Sequence, residues 1–131
     1  MTDWLLRKLF TAHSGESAFF KIEEEGLSFE EIATFARIIA PRYPTCTDVV
    51  SVPRGGDRLA EALQPYLAHH AGDDILIVDD VYTTGSSMNH QKIEVYAGNP
   101  EGNVHGVVMF ARNPIKPDDA WIKPVFQMWE C

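Results

Sequence analysis

The chain has 131 residues, of which 45% are hydrophobic and 23% are charged, and its formal net charge at pH 7 is −8. This length suits one domain with a single core, and the composition is ordinary for a soluble globular protein. The acidic balance disfavours a nucleic-acid-binding surface, because such a surface needs clustered Lys and Arg. A small anionic ligand would therefore have to be held by a local site.

Cysteine content and the amino-terminal residues bear on the cellular compartment. The two cysteines, Cys46 and Cys131, make neither a disulfide framework nor a CxxC metal motif, which favours a reducing cytoplasm. Residues 1–10 are short and charged at both ends, so they predict neither a signal peptide nor a membrane span. We therefore expect a cytoplasmic protein without a membrane partner.

Hydrophobic periodicity predicts helices and strands in alternation. Apolar residues recur at helical spacing over residues 3–12, and a strand is expected over 18–22. Ser28 and Glu31 form a capping-box pattern at the start of a helix over residues 29–40. Further strands are predicted over residues 48–52, 75–78, 104–112 and 124–128, and further helices over 57–69 and 88–97. This alternation predicts an α/β fold with a doubly wound parallel sheet.

The glycine-rich segment SVPRGG, residues 51–56, is a candidate anion site after the first of these strands. Consecutive glycines let backbone amides approach an anion closely, and Arg54 adds a planar charge suited to bidentate oxygen contacts. A tight turn with a surface arginine is the alternative interpretation.

A buried strand that leads into acidic residues is the most informative part of the sequence. Residues 75–78 are four branched apolar residues, as in a strand that is covered on both faces. Asp79 and Asp80 follow directly, so both carboxylates are expected at the carboxyl end of the strand, where open α/β sheets bind ligands. A polyol, a magnesium ion, or both would compensate two adjacent like charges.

A tract of small residues comes shortly after the carboxylates and will be called the hydroxyl loop. Its members are Thr83, Thr84, Gly85, Ser86 and Ser87. Backbone N–H groups at a helix start, joined by hydroxyl groups, can form a phosphate cradle. Such a tract is by itself most often an ordinary turn, but its position between a buried strand and a helix favours phosphate binding.

The segment ILIVDDVYTTGSS, residues 75–87, resembles the phosphoribosyl-pyrophosphate (PRPP) signature of type I phosphoribosyltransferases. The resemblance implies that Asp79 and Asp80 bind the ribose hydroxyls and bind Mg²⁺, directly or through water and substrate. The residues that it implies for the rest of the ribose and the 5′-phosphate are Val81, Tyr82, Thr83, Thr84, Gly85, Ser86 and Ser87. Tyr82 stands where an aliphatic residue is commoner in that family.

The same resemblance extends to the glycine-rich segment. It implies that Arg54, Gly55 and Gly56 bind pyrophosphate, often through an unusual backbone conformation. Catalytic roles are thereby implied for Asp79, Asp80 and Arg54.

The amino-terminal segment HSGESAFFKIE, residues 13–23, resembles the Ser-Gly-x-x-Ser-x-x-Phe hood segment of orotate phosphoribosyltransferases. Four residues are thereby implied as candidates for contacting the base: His13, Phe20, Lys21 and Arg112. His13 replaces a lysine of that family, and Phe20 is alternatively a core residue of a strand. The resemblance implies one domain over residues 1–131, with a small hood over 1–45 and a PRPP-binding core over 46–131.

Only residues 57–74 separate the glycine-rich segment from the signature strand. Orotate-type enzymes insert further strands and a long flexible loop there, so the chain is predicted to be a short form without that loop. The leading hypothesis is Mg²⁺-dependent transfer of 5-phosphoribose between PRPP and a nitrogenous base, with orotate-like pyrimidines among the candidates, by a homodimer. The alternatives are a non-catalytic module that binds PRPP or a nucleotide for regulation, and a domain that binds an unrelated phosphate ester.

Overall fold

The computed structural model describes residues 26–128. Its helices are α1 (Phe29–Ile39), α2 (Asp57–Leu67) and α3 (Ser86–Ala97), and its strands are β1 (Cys46–Ser51), β2 (Asp74–Tyr82), β3 (Val104–Ala111) and β4 (Ile122–Gln127). Short 3₁₀ helices follow α1 at Ala40–Arg42 and precede β4 at Pro117–Asp119. The elements predicted over residues 3–12 and 18–22, together with His13, Phe20 and Lys21, lie outside the described residues.

The four strands form one parallel sheet in the order β1-β2-β3-β4. Because the strands are parallel, the loops that follow β1, β2 and β3 all leave from the same edge of the sheet. The predicted α/β fold with a parallel sheet is confirmed.

Helices cover both faces of the sheet. Leu76 and Val78 of β2 are buried in one cluster of apolar side chains, and Ile77 between them is buried in a second cluster. Adjacent residues of a strand point to opposite faces, so the two clusters lie on opposite sides of the sheet. The first cluster contains residues of α1 and α2, including Ile32, Phe35, Leu59 and Leu63. The second contains Met88 from α3, so the predicted doubly wound arrangement is confirmed.

Helix α1 begins at the predicted capping box. The Ser28 side chain accepts a hydrogen bond from the Glu31 backbone N–H at 3.1 Å, and the Glu31 carboxylate accepts one from the Ser28 N–H at 2.6 Å. These two bonds satisfy N–H groups that a helix start leaves without partners. Of the helices that the structure describes, none is both long and apolar enough to cross a membrane.

The predicted end of the signature strand was wrong. Strand β2 continues past residue 78 to Tyr82, so Asp79 and Asp80 lie inside the strand rather than after it. Strand β1 ends at Ser51, opposite Val78, whereas β3 still pairs with β2 as far as residue 82. The two carboxylates therefore lie where β2 has lost one neighbouring strand and kept the other.

Several smaller boundaries also differ; for example, β4 begins at Ile122 rather than at residue 124. Strand β1 spans Cys46–Ser51 rather than 48–52. Helix α3 begins at Ser86 rather than at residue 88, because Gly85 adopts a left-handed conformation with φ of 86° and the helix starts directly after it.

Candidate functional site at the carboxyl edge of the sheet

The glycine loop, residues 53–56, leaves the end of β1 while still held to β2. The Val52 N–H donates to the Val78 carbonyl oxygen at 2.8 Å, and the Gly56 N–H donates to the Val52 carbonyl oxygen at 3.0 Å. The peptide bond between Pro53 and Arg54 is cis, and the Arg54 side chain is exposed. The loop thus turns tightly beside β2 and presents Arg54 to solvent before α2 begins.

The backbone of Gly55 lies directly against the carboxylate of Asp80. A Cβ atom on Gly55 would lie 2.5 Å from Asp80 Oδ1 and 2.8 Å from Oδ2, which is closer than carbon and oxygen can approach. A Cβ on Gly56 would likewise overlap the Val78 carbonyl oxygen. A side chain at Gly56 would overlap backbone atoms, and one at Gly55 would have to displace the Asp80 carboxylate or the loop. The glycine loop and the acidic pair therefore form one continuous surface.

Backbone hydrogen bonds orient the two carboxylates. The Asp80 N–H donates to Asp79 Oδ1 at 2.8 Å, and the Val81 N–H donates to Asp80 Oδ1 at 2.7 Å. Asp79 is buried, with 7% of its surface exposed, whereas Asp80 is half-buried beside the glycine loop. Short bonds from N–H groups to a carboxylate restrict its rotation, so each side chain is held in one direction.

The hydroxyl loop lines a pocket at the other side of the acidic pair. The residues around this pocket are Asp79, Val81, Tyr82, Met88 and the hydroxyl loop itself. Helix α3 starts at Ser86, and the first N–H groups of a helix carry a partial positive charge and lack partners within the helix. Thr83, Thr84, Ser86 and Ser87 are exposed, so a helix start and four hydroxyl groups meet at one pocket. This arrangement suits a compact anion such as a phosphate group.

Arg112 is the remaining described candidate, and it lies at the same edge of the sheet. It follows directly after β3, and its backbone N–H donates to the Tyr82 carbonyl oxygen at 2.8 Å. The structure thus brings together the glycine loop, the acidic pair, the hydroxyl loop and Arg112.

Three residues that support the hydroxyl loop were missed by the sequence analysis. Asn113 donates to the Thr83 carbonyl oxygen at 2.8 Å, and Asp119 accepts hydrogen bonds from Tyr82 and Asn89, both at 2.7 Å. These partners are 30 to 37 residues apart in sequence. No local pattern could have indicated them, because each contact depends on how β2, β3 and their connections come together.

The acidic pair suits a magnesium ion that a substrate helps to hold. Within residues 26–128, no group of three or more His, Cys, Asp or Glu side chains could hold a metal ion. Mg²⁺ is usually bound through one or two carboxylates together with substrate phosphates and water, rather than by a cage of protein ligands. Asp79 and Asp80 supply oxygen donors of that kind, so they fit the ion as part of a substrate complex.

Comparisons with known proteins identify the fold. No protein-family model matches the chain, and no curated protein matches it. The structure of orotate phosphoribosyltransferase from Aeropyrum pernix is similar, with a TM-score of 0.58, 21% sequence identity, and coverage of 76% of this chain and 70% of that one. A hypoxanthine phosphoribosyltransferase from Trypanosoma cruzi in complex with the product IMP has a TM-score of 0.47, 19% identity, and coverage of 78% of this chain and 74% of that one. Hypoxanthine-guanine phosphoribosyltransferase from Schistosoma mansoni in complex with IMP has a TM-score of 0.46, 16% identity, and coverage of 81% of this chain and 64% of that one.

With a parallel sheet covered on both faces and this similarity to the Aeropyrum pernix structure, the chain has the type I phosphoribosyltransferase fold.

Proposed function

We propose that this protein transfers 5-phosphoribose between PRPP and a nitrogenous base in a Mg²⁺-dependent reaction. The observation that carries the proposal is the contact between the Gly55 backbone and the Asp80 carboxylate. This contact joins the glycine loop to the acidic pair, and Asp79 shares a pocket with the hydroxyl loop, so the three are successive parts of one surface. PRPP has a pyrophosphate, two ribose hydroxyls and a 5′-phosphate, so its chemical groups match the three parts of that surface.

Each part of the surface would bind one part of PRPP. Arg54 and the amides of Gly55 and Gly56 would hold the pyrophosphate, because a guanidinium group and closely approaching N–H groups both suit anionic oxygens. Asp79 and Asp80 would accept hydrogen bonds from the ribose hydroxyls. The hydroxyl loop and the start of α3 would hold the 5′-phosphate, and Val81 and Tyr82 would support it from the strand.

The reaction depends mainly on positioning and charge. A bond forms between C1 of the ribose and a nitrogen of the base, which releases its proton to solvent, while the bond between C1 and the pyrophosphate oxygen breaks and its electron pair leaves with pyrophosphate. Arg54 would stabilise the charge of the departing group, and the acidic pair would keep the ribose in one orientation. Mg²⁺ held by Asp79 and Asp80 would neutralise charge on the pyrophosphate.

An orotate-like pyrimidine is the first candidate for the base. The similar structure from Aeropyrum pernix is that of an orotate phosphoribosyltransferase, and Arg112 lies at the site edge, where a guanidinium group could bind an acidic base. We propose His13, Phe20 and Lys21 as further base contacts in a hood over residues 1–45, with the PRPP-binding core over 46–131. A cytoplasmic homodimer is proposed with this function.

A non-catalytic module that binds PRPP or a nucleotide is the second candidate. One observation favours it: residues 68–73 alone connect α2 to β2, so no long loop between the glycine loop and β2 can cover the reacting centre. A reacting ribose that stays open to water would lose charge stabilisation and could react with water instead of the base.

Product formation distinguishes these candidates. The purified protein would be incubated with Mg²⁺, PRPP and a panel of bases that includes orotate and hypoxanthine, and nucleotide products would be measured by mass spectrometry. We expect one base to give a nucleotide only when Mg²⁺ is present. PRPP binding without product from any base would favour the binding module, and absence of PRPP binding would contradict both candidates.

Variants of Asp79 and Asp80 test whether the acidic pair is needed for turnover. Replacing both Asp79→Asn and Asp80→Asn removes the two charges and keeps the side-chain shapes, so turnover should fall at least about 100-fold. The control is Glu101→Gln, which removes an exposed charge from the turn between α3 and β3. Equal turnover in the double variant and the control would overturn the roles assigned to Asp79 and Asp80.

A further inference from the structure

A buried carboxylate lies behind the hydroxyl loop. Asp119 has only 4% of its surface exposed and ends the 3₁₀ helix between β3 and β4. Its Oδ2 accepts a hydrogen bond from the Tyr82 hydroxyl at 2.7 Å, and its Oδ1 accepts one from Asn89 Nδ2 at 2.7 Å. Tyr82 ends β2 and Asn89 belongs to the first turns of α3. The carboxylate therefore joins the two elements between which the hydroxyl loop runs.

The same carboxylate shapes the turn at Gly85. A Cβ on Gly85 would overlap Asp119 Oδ2 and would lie 3.0 Å from the Tyr82 ring. Asn89 Nδ2, which donates to Asp119, also donates to the Gly85 carbonyl oxygen at 2.9 Å. Gly85 is buried with φ of 86°, and helix α3 begins at the next residue. Asp119 thus sets the space in which the backbone turns into α3.

The connection between β3 and β4 holds the loop at two further points. Asn113 Nδ2 donates to the Thr83 carbonyl oxygen at 2.8 Å, and the Lys116 N–H donates to the Tyr82 hydroxyl oxygen at 3.2 Å. The Tyr82 hydroxyl therefore donates to Asp119 and accepts from Lys116. A phenylalanine could do neither, and an aliphatic residue could not reach either partner.

Asp119 is charged in this environment. Burial raises its pKa, but hydrogen bonds from Asn89 and Tyr82 and the charges of Lys116 and Lys92 lower it, and the net pKa is below the ordinary value. Hydrogen bonds to a charged acceptor are stronger than those between neutral groups. The Tyr82 and Asn89 side chains are therefore held firmly.

We propose that Asp119 is a positioning residue, which acts through Tyr82 and Asn89 to hold the hydroxyl loop in the shape that binds a phosphate group. The proposal deepens the proposed function and rests on it for the identity of the ligand. Asp119 itself is buried behind the loop, so it acts on the ligand through the loop residues that it contacts rather than directly. Type I phosphoribosyltransferases more commonly have an aliphatic residue at the position of Tyr82, and such a residue could not bond to Asp119. The tyrosine would therefore be what connects Asp119 to the hydroxyl loop in this chain.

The test compares two variants that each remove a hydroxyl donor from a carboxylate. Tyr82→Phe removes the bond to Asp119 and keeps the aromatic ring. The control, Thr45→Val, removes the 2.6 Å bond from Thr45 to Asp74 at the opposite edge of the sheet. Both should lower the thermal midpoint, so stability alone does not separate a positioning role from a structural one. The distinguishing measurements are the Kd for ribose 5-phosphate by calorimetry and the hydrogen exchange of the amides of residues 84–88 in the ligand-free protein.

We expect Tyr82→Phe to raise the Kd for ribose 5-phosphate about 10-fold, as one lost hydrogen bond to a charged group would, and to speed exchange of the loop amides. Thr45→Val should change neither. Asp119→Asn should behave like Tyr82→Phe. An amide has a single, neutral oxygen, so it cannot accept from Tyr82 at one oxygen and from Asn89 at the other as the carboxylate does. Equal Kd and equal loop exchange in Tyr82→Phe and wild type, with only the thermal midpoint lowered, would overturn the proposal.

Failure of the proposed function would give a different result. If the wild-type protein bound neither PRPP nor ribose 5-phosphate, the assignment of the ligand would be wrong, and loop exchange in the ligand-free protein would still decide whether Asp119 holds the loop. Unchanged exchange in Tyr82→Phe would then overturn the positioning role as well.

Discussion

At the scale of single residues, the glycine loop shows why a small side chain can determine a site. Gly55 has no unusual φ, so its role is to leave room for the Asp80 carboxylate rather than to allow a special backbone conformation. Any Cβ at this position must displace either the carboxylate or the loop. The glycine loop and the acidic pair of the proposed PRPP site can therefore lie in contact because Gly55 has no Cβ atom.

Gly55→Ala should consequently damage ligand binding more than stability. We expect the Kd for PRPP to rise at least about 10-fold, because moving the carboxylate or the loop misplaces groups that would hold the ribose and the pyrophosphate. The control is Gly98→Ala at the end of α3, where a Cβ would lie 3.4 Å from its nearest neighbour, the Val95 carbonyl oxygen. Calorimetry with PRPP and Mg²⁺ checks both variants, and similar affinities would contradict this role of Gly55.

At the scale of secondary-structure elements, local signals and tertiary pairing determined different boundaries. The start of α1 follows from its own sequence, because Ser28 and Glu31 satisfy each other's backbone N–H groups. The end of β2 does not follow from its own sequence, because aspartate is depleted in strands and the pair Asp79 and Asp80 would be expected to end one. Pairing with β3 keeps them in β2, where the Asp79 position is opposite Val108.

The capping box of α1 gives a prediction at this scale. Ser28→Ala removes the acceptor for the Glu31 N–H and should lower the free energy of unfolding by about 1 kcal/mol. Ser28→Asp keeps an acceptor at the N-cap and should retain most of the stability. Urea denaturation followed by circular dichroism measures both, and equal loss in the two variants would show that capping is not the cause.

At the scale of the whole molecule, the amino edge of the sheet is held by Asp74. This carboxylate accepts hydrogen bonds from the Thr45 hydroxyl at 2.6 Å and the Asn103 N–H at 2.8 Å, and it lies 3.0 Å from His105 Nε2. Thr45 precedes β1, Asn103 precedes β3 and Asp74 begins β2, so one side chain joins three strands. This edge lies opposite the proposed site, and the hydrogen bonds of Asp74 fix the alignment of β1, β2 and β3 there.

Acid should weaken this junction. Hydrogen bonds from Thr45, His105 and Asn103 lower the pKa of Asp74 from 3.8 to about 2. Because the folded pKa is the lower one, its stabilising contribution is fully present above pH 3.8 and is lost as the pH falls toward 2. Asp74→Asn should be less stable than wild type at pH 7, and the difference should shrink across that interval. Urea midpoints measured from neutral to acid pH check this, and a constant difference would refute it.

The amino-acid sequence by itself determined the α/β class, the order of the described elements and the segments that became the candidate site. Hydrophobic periodicity, the capping box and the glycine pair at Gly55 and Gly56 act within a few residues, so they can be recognised without the fold. The roles of the site residues remain predictions, since they await the binding and turnover measurements above.

Only the tertiary structure decided how those segments meet. Contact between Gly55 and Asp80, continuation of β2 to Tyr82 and support of the hydroxyl loop by Asp119 all depend on strand register and on close approach of distant residues. Tyr82 and Asp119 are 37 residues apart, so no local pattern indicates that they are bonded to each other. Their bond forms because the parallel sheet places the ends of β2 and β3 side by side. The connection from β3 to β4 then passes behind the hydroxyl loop and brings Asp119 to Tyr82.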